Sequence, residues 1–335
     1  MLDDPTIDAV YIPLPNGLHY EWALKSLRAG KHVLLEKPST SNAEEAKKLF
    51  NHPILKQPNA PVILEAFHYR FHPAWQTFLT LVDPARITSA SSVQYLGRGY
   101  FPKDDIRFKY NLAGGTLMDF GTYNVSCLRQ LFRAEPETCL EASYRPVPRG
   151  DKEIDQAFKA NWRFPNGGVG SIEADLSATG GYWFPWLTGS WPKVALPKTT
   201  VELAEVDQSD GSLKPEEKHT VKRKATIWNP LMPTVYHRIL IENTHSVYQD
   251  GEVVKSWTES RLMKVYKWHE SGEGKVGEGW WTTYRYQLEA FVNEVRRRPG
   301  SGVWVSGDDS IKQMEMIDGA YMKAGLPLRP TSIYE

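Results

Sequence analysis

Strand-like and helix-like segments alternate through the first 65 residues, and this alternation restricts the fold more than any other feature of the chain. Short apolar runs at 8–15, 31–36 and 61–67 predict three strands. Between them, amphipathic segments predict helices beginning near Tyr20 and, with a capping box, at Ser41. Strand, helix and strand joined by short connections are typical of a right-handed βαβαβ unit. The sequence therefore predicts a parallel sheet whose strands are buried on both faces.

Beyond about residue 85 the pattern changes to strands in succession. Four runs rich in β-forming residues predict strands at 87–97, 138–147, 156–164 and 168–178. Turn signals at Asn166-Gly167 and Asp250-Gly251 indicate hairpins, so this second sheet is expected to be mainly antiparallel. Two helices are predicted at 284–297 and 310–324, and the polar stretch 205–225 is predicted to be an exposed loop or hairpin tip.

The charge balance excludes several classes of partner. The chain has 40 Lys and Arg against 40 Asp and Glu, so it lacks the basic surface expected of a protein that binds nucleic acid or an acidic membrane. No apolar run approaches the ~20 residues that span a bilayer, and no signal-peptide pattern is present. With only two cysteines we expect no disulfide framework and a reducing, cytoplasmic location.

Polar residues stand at the ends of the first two predicted strands. Pro15-Asn16 ends the first strand, and Glu36-Lys37-Pro38 ends the second. In an open parallel sheet the ligand crevice lies beyond the carboxyl ends of the strands. We therefore expect Lys37, whose chain direction the following proline restricts, to project into that crevice and act as an acid or base. The alternative is a solvated lysine at a strand end.

A third polar segment lies at 112–132. Its Gly114-Gly115 pair suits a close backbone approach before a helix. Asp119 and Tyr123 are four residues apart, so on a helix they share one face. A carboxylate and a phenol that meet Lys37 would form a proton-handling cluster. The alternative is an aspartate that complements the helix dipole and a tyrosine that packs in the core.

Glu65, His68 and His72 come nearest to the composition of a metal site. They occupy a strand end and the following loop, without the HExxH spacing of a helical zinc site and without a second acidic cluster. We therefore predict no metal site and expect these residues to be structural or to contact substrate. A GxSxG nucleophile elbow is also absent from the sequence, which disfavours hydrolase chemistry.

The run DAVYIPLPNGLHYEWALKSLRAGKHVLLEKP, followed by AGGTLMDFGTY, resembles the glucose–fructose oxidoreductase / inositol dehydrogenase (Gfo/Idh/MocA) family. Within it the chain is most similar to the branch of NADP-dependent D-xylose dehydrogenases and dihydrodiol dehydrogenases, as far as DDSIKQMEMIDGAYMKAGLPLRP near its end. The resemblance implies a dehydrogenase or reductase that moves a hydride between a nicotinamide and the CH–OH group of a sugar or diol. It also implies that Lys37 and Tyr123 relay the hydroxyl proton while Asp119 orients one of them.

The resemblance further implies a cofactor site for NADP or NAD. Its contacts would be Pro15, Asn16, His19, Glu36, Lys37, Pro38 and Arg70. The implied architecture is an α/β fold: a Rossmann nucleotide-binding domain at 1–66, then an α+β domain at 67–335 whose large open sheet forms a homodimer interface. We expect the final helix, at 310–324, to pack back on the first domain.

The chain departs from the family pattern at its beginning. That pattern opens with a strand, a GxGxxG turn and a helix that binds the pyrophosphate. The glycine-rich runs of this chain, at 166–170 and 271–274, lie in its second half and lack that context. At ~30 residues per βαβ unit, about two units are missing, which predicts an N-terminally truncated Rossmann sheet with an exposed first strand and impaired cofactor binding. Either Met1 is an internal methionine of a longer protein, or this is a natural short form. A short form could be a pseudoenzyme, a substrate-binding protein or a cofactor-independent acid–base enzyme.

Overall fold

A computed structural model of the protein describes five stretches of the chain, residues 1–148, 150–193, 195–209, 216–268 and 275–335. The first sheet is small and parallel. Its strands are β1 (Ala9–Ile12), β2 (His32–Leu35) and β3 (Ile63–Glu65), in the order β1-β2-β3. Two helices connect them, α1 (His19–Arg28) and α2 (Ala43–Phe50). The βαβαβ unit predicted from the alternation of apolar runs is therefore confirmed.

β1 is an edge strand of this sheet. Val10 and Ile12 are buried, whereas Ala9 and Tyr11 are exposed, with 51% of Tyr11 accessible. The prediction that this strand is buried on both faces is therefore wrong for β1. Alternate residues of this apolar run face α1 and solvent. Composition alone does not distinguish such a strand from one that is buried on both faces.

The amino terminus of α2 differs by one residue from the sequence prediction. Asn42, not Ser41, is the N-cap, and its side chain accepts a hydrogen bond from the Glu45 backbone N–H at 3.0 Å. Glu45 in turn accepts the Ser41 N–H at 2.8 Å. The capping box is thus present with Glu45 as its acidic member, while Glu44 remains at the surface.

The second sheet is large and mixed, with nine strands in the described residues. They are β4 (Ile87–Gly97), β5 (Thr138–Pro146), β6 (Asp155–Arg163), β7 (Val169–Ala178), β8 (Lys198–Leu203), β9 (Val206–Asp207), β10 (Glu217–Trp228), β11 (Arg238–Gln249) and β12 (Glu252–Met263). The order is β12-β11-β10-β8-β4-β7-β6-β5, and β9 pairs with β10. Every neighbouring pair is antiparallel except β4–β7, which is parallel.

The stretch predicted as an exposed loop at 205–225 is largely strand in its described part. Residues from Glu217 onward form β10, whose inward Val221, Ala225 and Ile227 are buried. Basic side chains alternate with them, and Lys222 pairs with Glu202 at 2.9 Å on the outer face. The loop prediction is therefore wrong for the residues of β10, which carry the polar half of an alternating strand pattern. The antiparallel pairing of Val206 with Val221 agrees with the hairpin alternative. Residues 210–215 lie outside the described residues.

Five more α-helices follow the first sheet within the described residues. They are α3 (Pro73–Thr80), α4 (Thr122–Phe132), α5 (Pro185–Thr188), α6 (Thr283–Val295) and α7 (Gly307–Lys323). α4 and α7 contact one face of the large sheet, and α7 also contacts α2, where Asp318 accepts the Ala43 N–H at 2.8 Å. The final helix thus connects both sheets. The boundary between 66 and 67 stays a prediction.

Candidate active site

Lys37 and Asp119 are in direct contact beyond the carboxyl end of β2. Lys37 Nζ donates to Asp119 Oδ1 at 2.8 Å and to the Asp119 backbone carbonyl at 3.1 Å. The two side chains are 11% and 13% exposed. Because the parallel strand directs the chain toward the crevice, Lys37 extends away from solvent and reaches a carboxylate 82 residues along the chain. The structure therefore brings together the lysine and the aspartate singled out from the sequence.

Tyr123 completes the cluster through its ring. Lys37 Nζ lies 4.7 Å from the centroid of that ring, in a cation–π contact. The Tyr123 hydroxyl lies 2.9 Å from His68 Nε2, so the phenol contacts the lysine through its face and the histidine through its oxygen. Residues Leu117–Gly121 form a π-helical turn before α4, instead of the regular helix expected over Asp119 and Tyr123. Such turns occur often at functional sites.

Asp119 binds a second cation, Arg107, which the sequence analysis missed. Arg107 Nε donates to Asp119 Oδ2 at 2.6 Å, and its guanidinium carbon lies 4.3 Å from the Phe101 ring centroid. Burial alone would raise the pKa of Asp119, but Lys37 and Arg107 outweigh burial and lower it. The carboxylate is therefore ionised, with one oxygen on each cation. No local motif marks Arg107, which stands in an irregular segment after β4.

A narrow cleft adjoins this cluster. It is lined by Pro15, Asn16, Ile106, Arg107, Leu112, Gly114, Gly115 and Asp119 and has a volume of about 40 Å³. A cavity of this size holds a water molecule or two. The segment 106–114 forms one wall, because the Asn16 amide donates to the Ala113 carbonyl at 3.0 Å. A Cβ on Gly114 would lie 2.6 Å from the Arg107 carbonyl, so the expected close backbone approach is present.

A buried ion pair fixes the segment that carries Asp119. Arg329 and Asp155 are both fully buried and pair at 2.6 Å. The other carboxylate oxygen of Asp155 accepts the Leu117 backbone N–H at 2.7 Å, which holds the start of the π-helical turn. Tyr321 donates its hydroxyl to Asp155 at 3.1 Å. The position of Asp119 therefore depends on residues near the carboxyl terminus.

His19 and Glu36 occupy less direct positions. His19 is fully buried, and its two ring nitrogens lie 2.8 Å from the Leu14 and Pro38 carbonyls. Burial lowers the pKa of His19 to about 4, so the ring is neutral and its single N–H can donate to only one of these two carbonyls. Glu36 accepts the Tyr11 hydroxyl at 2.7 Å near the edge strand. Contact of His19, Glu36 and Pro38 with a cofactor stays a prediction.

Arg70 lies in a different cluster from Lys37. It is buried, donates to Ser126 Oγ at 2.7 and 2.9 Å, and forms an ion pair with Asp309, which also binds Arg129. All of these contacts are with protein groups. The geometry therefore gives no support to a cofactor contact for Arg70, which stays a prediction.

Glu65, His68 and His72, the residues considered as metal ligands, each contact different groups. Glu65 accepts the Ser39 N–H at 2.8 Å, and burial raises the pKa of Glu65 to about 7. His72 is the N-cap of α3. Over the described ranges, no group of three His, Cys, Asp or Glu residues is placed to hold a metal ion. Nor does that part of the chain contain a helix long and apolar enough to cross a membrane.

His68 instead joins the candidate site, together with two residues of α6. His68 Nδ1 lies 2.8 Å from Thr283 Oγ1, and the Tyr284 ring stacks on the imidazole at 4.1 Å. Neither α6 residue was singled out from the sequence, because only tertiary packing brings the start of α6 against the turn after β3. The site is thus a set of side chains from both domains.

Two models of one family match the chain. The model described as "Oxidoreductase family, NAD-binding Rossmann fold" of Gfo/Idh/MocA matches residues 1–56, and the model of the Gfo/Idh/MocA C-terminal domain matches residues 75–201. Together they cover more than half of the sequence and include Lys37, Asp119 and Tyr123.

Curated relatives agree with these models over part of the chain. The D-xylose 1-dehydrogenase (NADP(+)) 2 of Haloferax volcanii is 41% identical over 178 residues, which is 52% of each protein. An uncharacterized oxidoreductase of Rhizobium meliloti is 36% identical over 172 residues, 50% of this chain and 48% of that protein. The chain spans about half the length of the curated relatives it matches.

Solved structures share the fold over almost the whole chain. A 3-ketoreductase from Actinomadura kijaniata, in complex with NADP and TDP-benzene, has a TM-score of 0.63 at 20% identity, covering 96% of this chain and 80% of that one. An aldose-aldose oxidoreductase from Caulobacter crescentus, complexed with glycerol, has a TM-score of 0.63 at 19% identity, covering 97% and 79%. At this identity the similarity establishes the fold: a Rossmann-like sheet followed by a large mixed sheet.

Proposed function

Because the chain belongs to the Gfo/Idh/MocA oxidoreductase family, we propose that it transfers a hydride between NADP or NAD and a sugar, diol or related carbonyl compound. The observation that carries this proposal is the contact of Lys37 with Asp119 and the Tyr123 ring. A buried lysine, carboxylate and phenol can move the hydroxyl proton that must leave when an alcohol is oxidised. The named sugar dehydrogenase among the relatives supports the same substrate class.

Each residue of the cluster has a distinct part in this chemistry. A bound nicotinamide would accept or donate the hydride. An ammonium group has three N–H donors, and two of those on Lys37 bind Asp119, so the third is left for a substrate oxygen. Asp119 holds Lys37 in place, and Arg107 keeps Asp119 ionised. In the reducing direction Lys37 would give the proton of its third N–H to the substrate oxygen as the hydride arrives, and in the oxidising direction the neutral amine would take that proton back. Tyr123 would hydrogen-bond to the same oxygen.

The fit of this chain to the cofactor is uneven. Pro15, Asn16, Lys37 and Pro38 stand beyond the ends of β1 and β2, where their polar groups suit the nicotinamide end. The pyrophosphate needs a glycine-rich turn at a helix amino terminus, and the segment between β1 and α1 contains one glycine, Gly17. We therefore propose that this chain binds NADP or NAD weakly.

A titration of tryptophan fluorescence with NADPH tests the cofactor proposal. We expect binding in the millimolar range, since only one end of the dinucleotide finds partners, and slow reduction of NADP in the presence of D-xylose or an inositol. Micromolar binding of NADPH would contradict the impaired site. Absence of reduction at millimolar NADP, over a panel of sugars and diols, would contradict the redox function itself.

A cofactor-independent acid–base enzyme or a substrate-binding protein is the second candidate. It is favoured by one observation: the cluster of Lys37, Asp119 and Tyr123 is assembled although no glycine-rich turn joins β1 to α1. Exchange of substrate carbon-bound protons with deuterated water, without added NADP, distinguishes this candidate from the redox enzyme.

The large sheet supports a proposed homodimer. Its outer face carries cross-strand ion pairs, such as Lys159–Glu173 at 3.0 Å, between small polar residues, and α4 and α7 contact the opposite face. A broad polar face of this kind can bury a self-complementary interface. We expect sedimentation to give twice the chain mass of 38.2 kDa, and a concentration-independent monomer would contradict the proposal.

The free thiols of Cys127 and Cys139 support a reducing, cytoplasmic location.

A further inference from the structure

We propose that His68 is a positioning residue for Tyr123: its Nε2 accepts the phenol proton, so that the phenol oxygen offers lone pairs to the substrate. This inference rests on the proposed function, in which Tyr123 contacts the reacting hydroxyl. It goes further by stating which way the Tyr123 proton points and which form of the substrate the site prefers.

The His68 ring is held from three directions. Nε2 lies 2.9 Å from the Tyr123 hydroxyl on α4, and Nδ1 lies 2.8 Å from Thr283 Oγ1 on α6. The Tyr284 ring stacks on the imidazole at 4.1 Å with an interplanar angle of 23°. His68 is only 3% exposed. The imidazole therefore cannot rotate away from Tyr123 without breaking contacts to two helices.

The number of available acceptors fixes the direction of this hydrogen-bond chain. Among the described contacts the buried Tyr123 hydroxyl has one hydrogen-bond partner, His68 Nε2, so its proton must point there or remain unpaired. A neutral ring that accepts at Nε2 carries its proton on Nδ1 and donates to Thr283. Thr283 Oγ1 in turn donates to the Leu231 carbonyl, 3.4 Å away. In this direction every donor of the hydrogen-bond chain has an acceptor, from Tyr123 through His68 and Thr283 to the Leu231 carbonyl. Among the described residues, the reverse direction leaves the phenol proton without a protein acceptor.

The groups around His68 favour a neutral imidazole ring. Burial lowers the pKa of His68 to about 3, and the Lys37 ammonium adds to that effect. Glu36 and Asp119 also lie near the cluster and raise the pKa of Tyr123 and Tyr284, and Arg107 pairs with Asp119. At neutral pH the ring therefore carries one N–H, and a single hydrogen-bond direction applies.

The direction of the phenol proton has a consequence for substrate preference. A substrate hydroxyl can donate to the Tyr123 oxygen while its own oxygen accepts the third N–H of Lys37. A carbonyl oxygen can only accept, so it leaves the Tyr123 lone pairs without a donor. We therefore infer that the site binds the alcohol form of its substrate in preference to the carbonyl form.

Nitrogen NMR of the histidine rings tests the hydrogen-bond direction without turnover. In the wild-type protein we expect His68 to be the Nδ1–H tautomer, assigned by the signal that His68→Gln removes. Thr283→Val deletes the acceptor of that N–H and should shift the same signal. An Nε2–H tautomer in the wild type would overturn the proposal. This measurement decides the matter even if no NAD(P)-linked activity is found, so failure of the proposed function is distinguishable from failure of this inference.

Kinetics of two His68 variants separate positioning from structure. His68→Leu removes the acceptor, and we expect kcat to fall by about 10²-fold, as misorientation of a reacting group can cause, with the preference for alcohol over carbonyl lost. His68→Gln keeps an oxygen acceptor and should recover most of kcat. His219→Leu, on the large sheet, is the matched control and should leave kcat unchanged. Equal kcat for the Leu and Gln variants would overturn the proposal. If His68→Leu fails to fold, Thr283→Val and the tautomer measurement still decide it.

Discussion

Replacing Lys37 by alanine should lower the turnover of a sugar or diol substrate with NADP by about 10³-fold or more. Lys37 supplies the N–H that would bind the substrate oxygen, and its other two donors bind Asp119. Asp119 keeps its contact with Arg107 in the variant, so the buried carboxylate retains a cation and the fold should persist. Reduction of NADP is measured by absorbance, and folding by circular dichroism.

Three further variants make the Lys37 result specific. Lys48→Ala is the matched control, because Lys48 is exposed and pairs with Glu44 on α2, and it should leave turnover unchanged. Lys37→Arg keeps the positive charge but cannot release a proton at neutral pH, so it should stay inactive if Lys37 transfers a proton. Arg107→Met removes the other cation from Asp119 and should lower turnover less than Lys37→Ala. Near wild-type turnover in Lys37→Ala would remove Lys37 from the mechanism.

Replacing Arg329 by methionine should lower the free energy of unfolding by about 3–5 kcal/mol, because it leaves the fully buried Asp155 without its cation. Burial raises the pKa of Asp155, and Arg329 is the largest opposing influence. In the variant Asp155 should therefore take up a proton. A carboxyl whose pKa is raised by folding contributes stability at low pH and loses it as the pH rises through the folded-state pKa. The loss in Arg329→Met should accordingly grow with pH.

Urea denaturation at several pH values measures this loss. Arg145→Met is the matched control: Arg145 pairs with Asp175 at 2.7 Å but is half exposed, so its removal should change the free energy of unfolding by about 0.5 kcal/mol or less. Asp155→Asn combined with Arg329→Met should recover part of the stability, because no charge is then buried. A loss in Arg329→Met no larger than in the control would show that the buried pair contributes nothing beyond a surface pair.

Local pattern predicted the elements well where burial follows a simple period. The strand predicted at 87–97 is β4 (Ile87–Gly97), and the helix predicted at 310–324 is α7 (Gly307–Lys323). Strand alternation and helical spacing are local properties, so they can be recognised in a single sequence. The parallel pairing of β4 with β7 was not predictable in the same way, because it depends on which distant strands meet.

The residues of the candidate site likewise fall into two groups, those that a local motif marks and those that only the tertiary fold brings together. Lys37, Asp119 and Tyr123 could be singled out because each stands in a short motif at the end of an apolar element. Arg107 and Thr283 carry no such mark, and His68 could be predicted only as a structural or substrate-contacting residue. They reach the site through the path of the chain after β4, at the start of α6 and after β3, respectively. They belong to the site because of where the folded chain places them, and no spacing of residues in the sequence predicts that placement.

The parallel pairing of β4 and β7 also bears on how specificity could change in proteins built like this one. Both strands end on the same edge of the sheet, where Gly97 pairs with Ala178, so the connections that follow them emerge side by side. One connection brings Arg107 to Asp119, and the other exposes Trp183 and Trp186. Lys193, from the second, places Nζ 3.4 Å from the Tyr95 ring of β4. Sequence changes in the first connection can alter the surroundings of Asp119 without repacking a strand, and the second connection supports the first where it leaves the sheet.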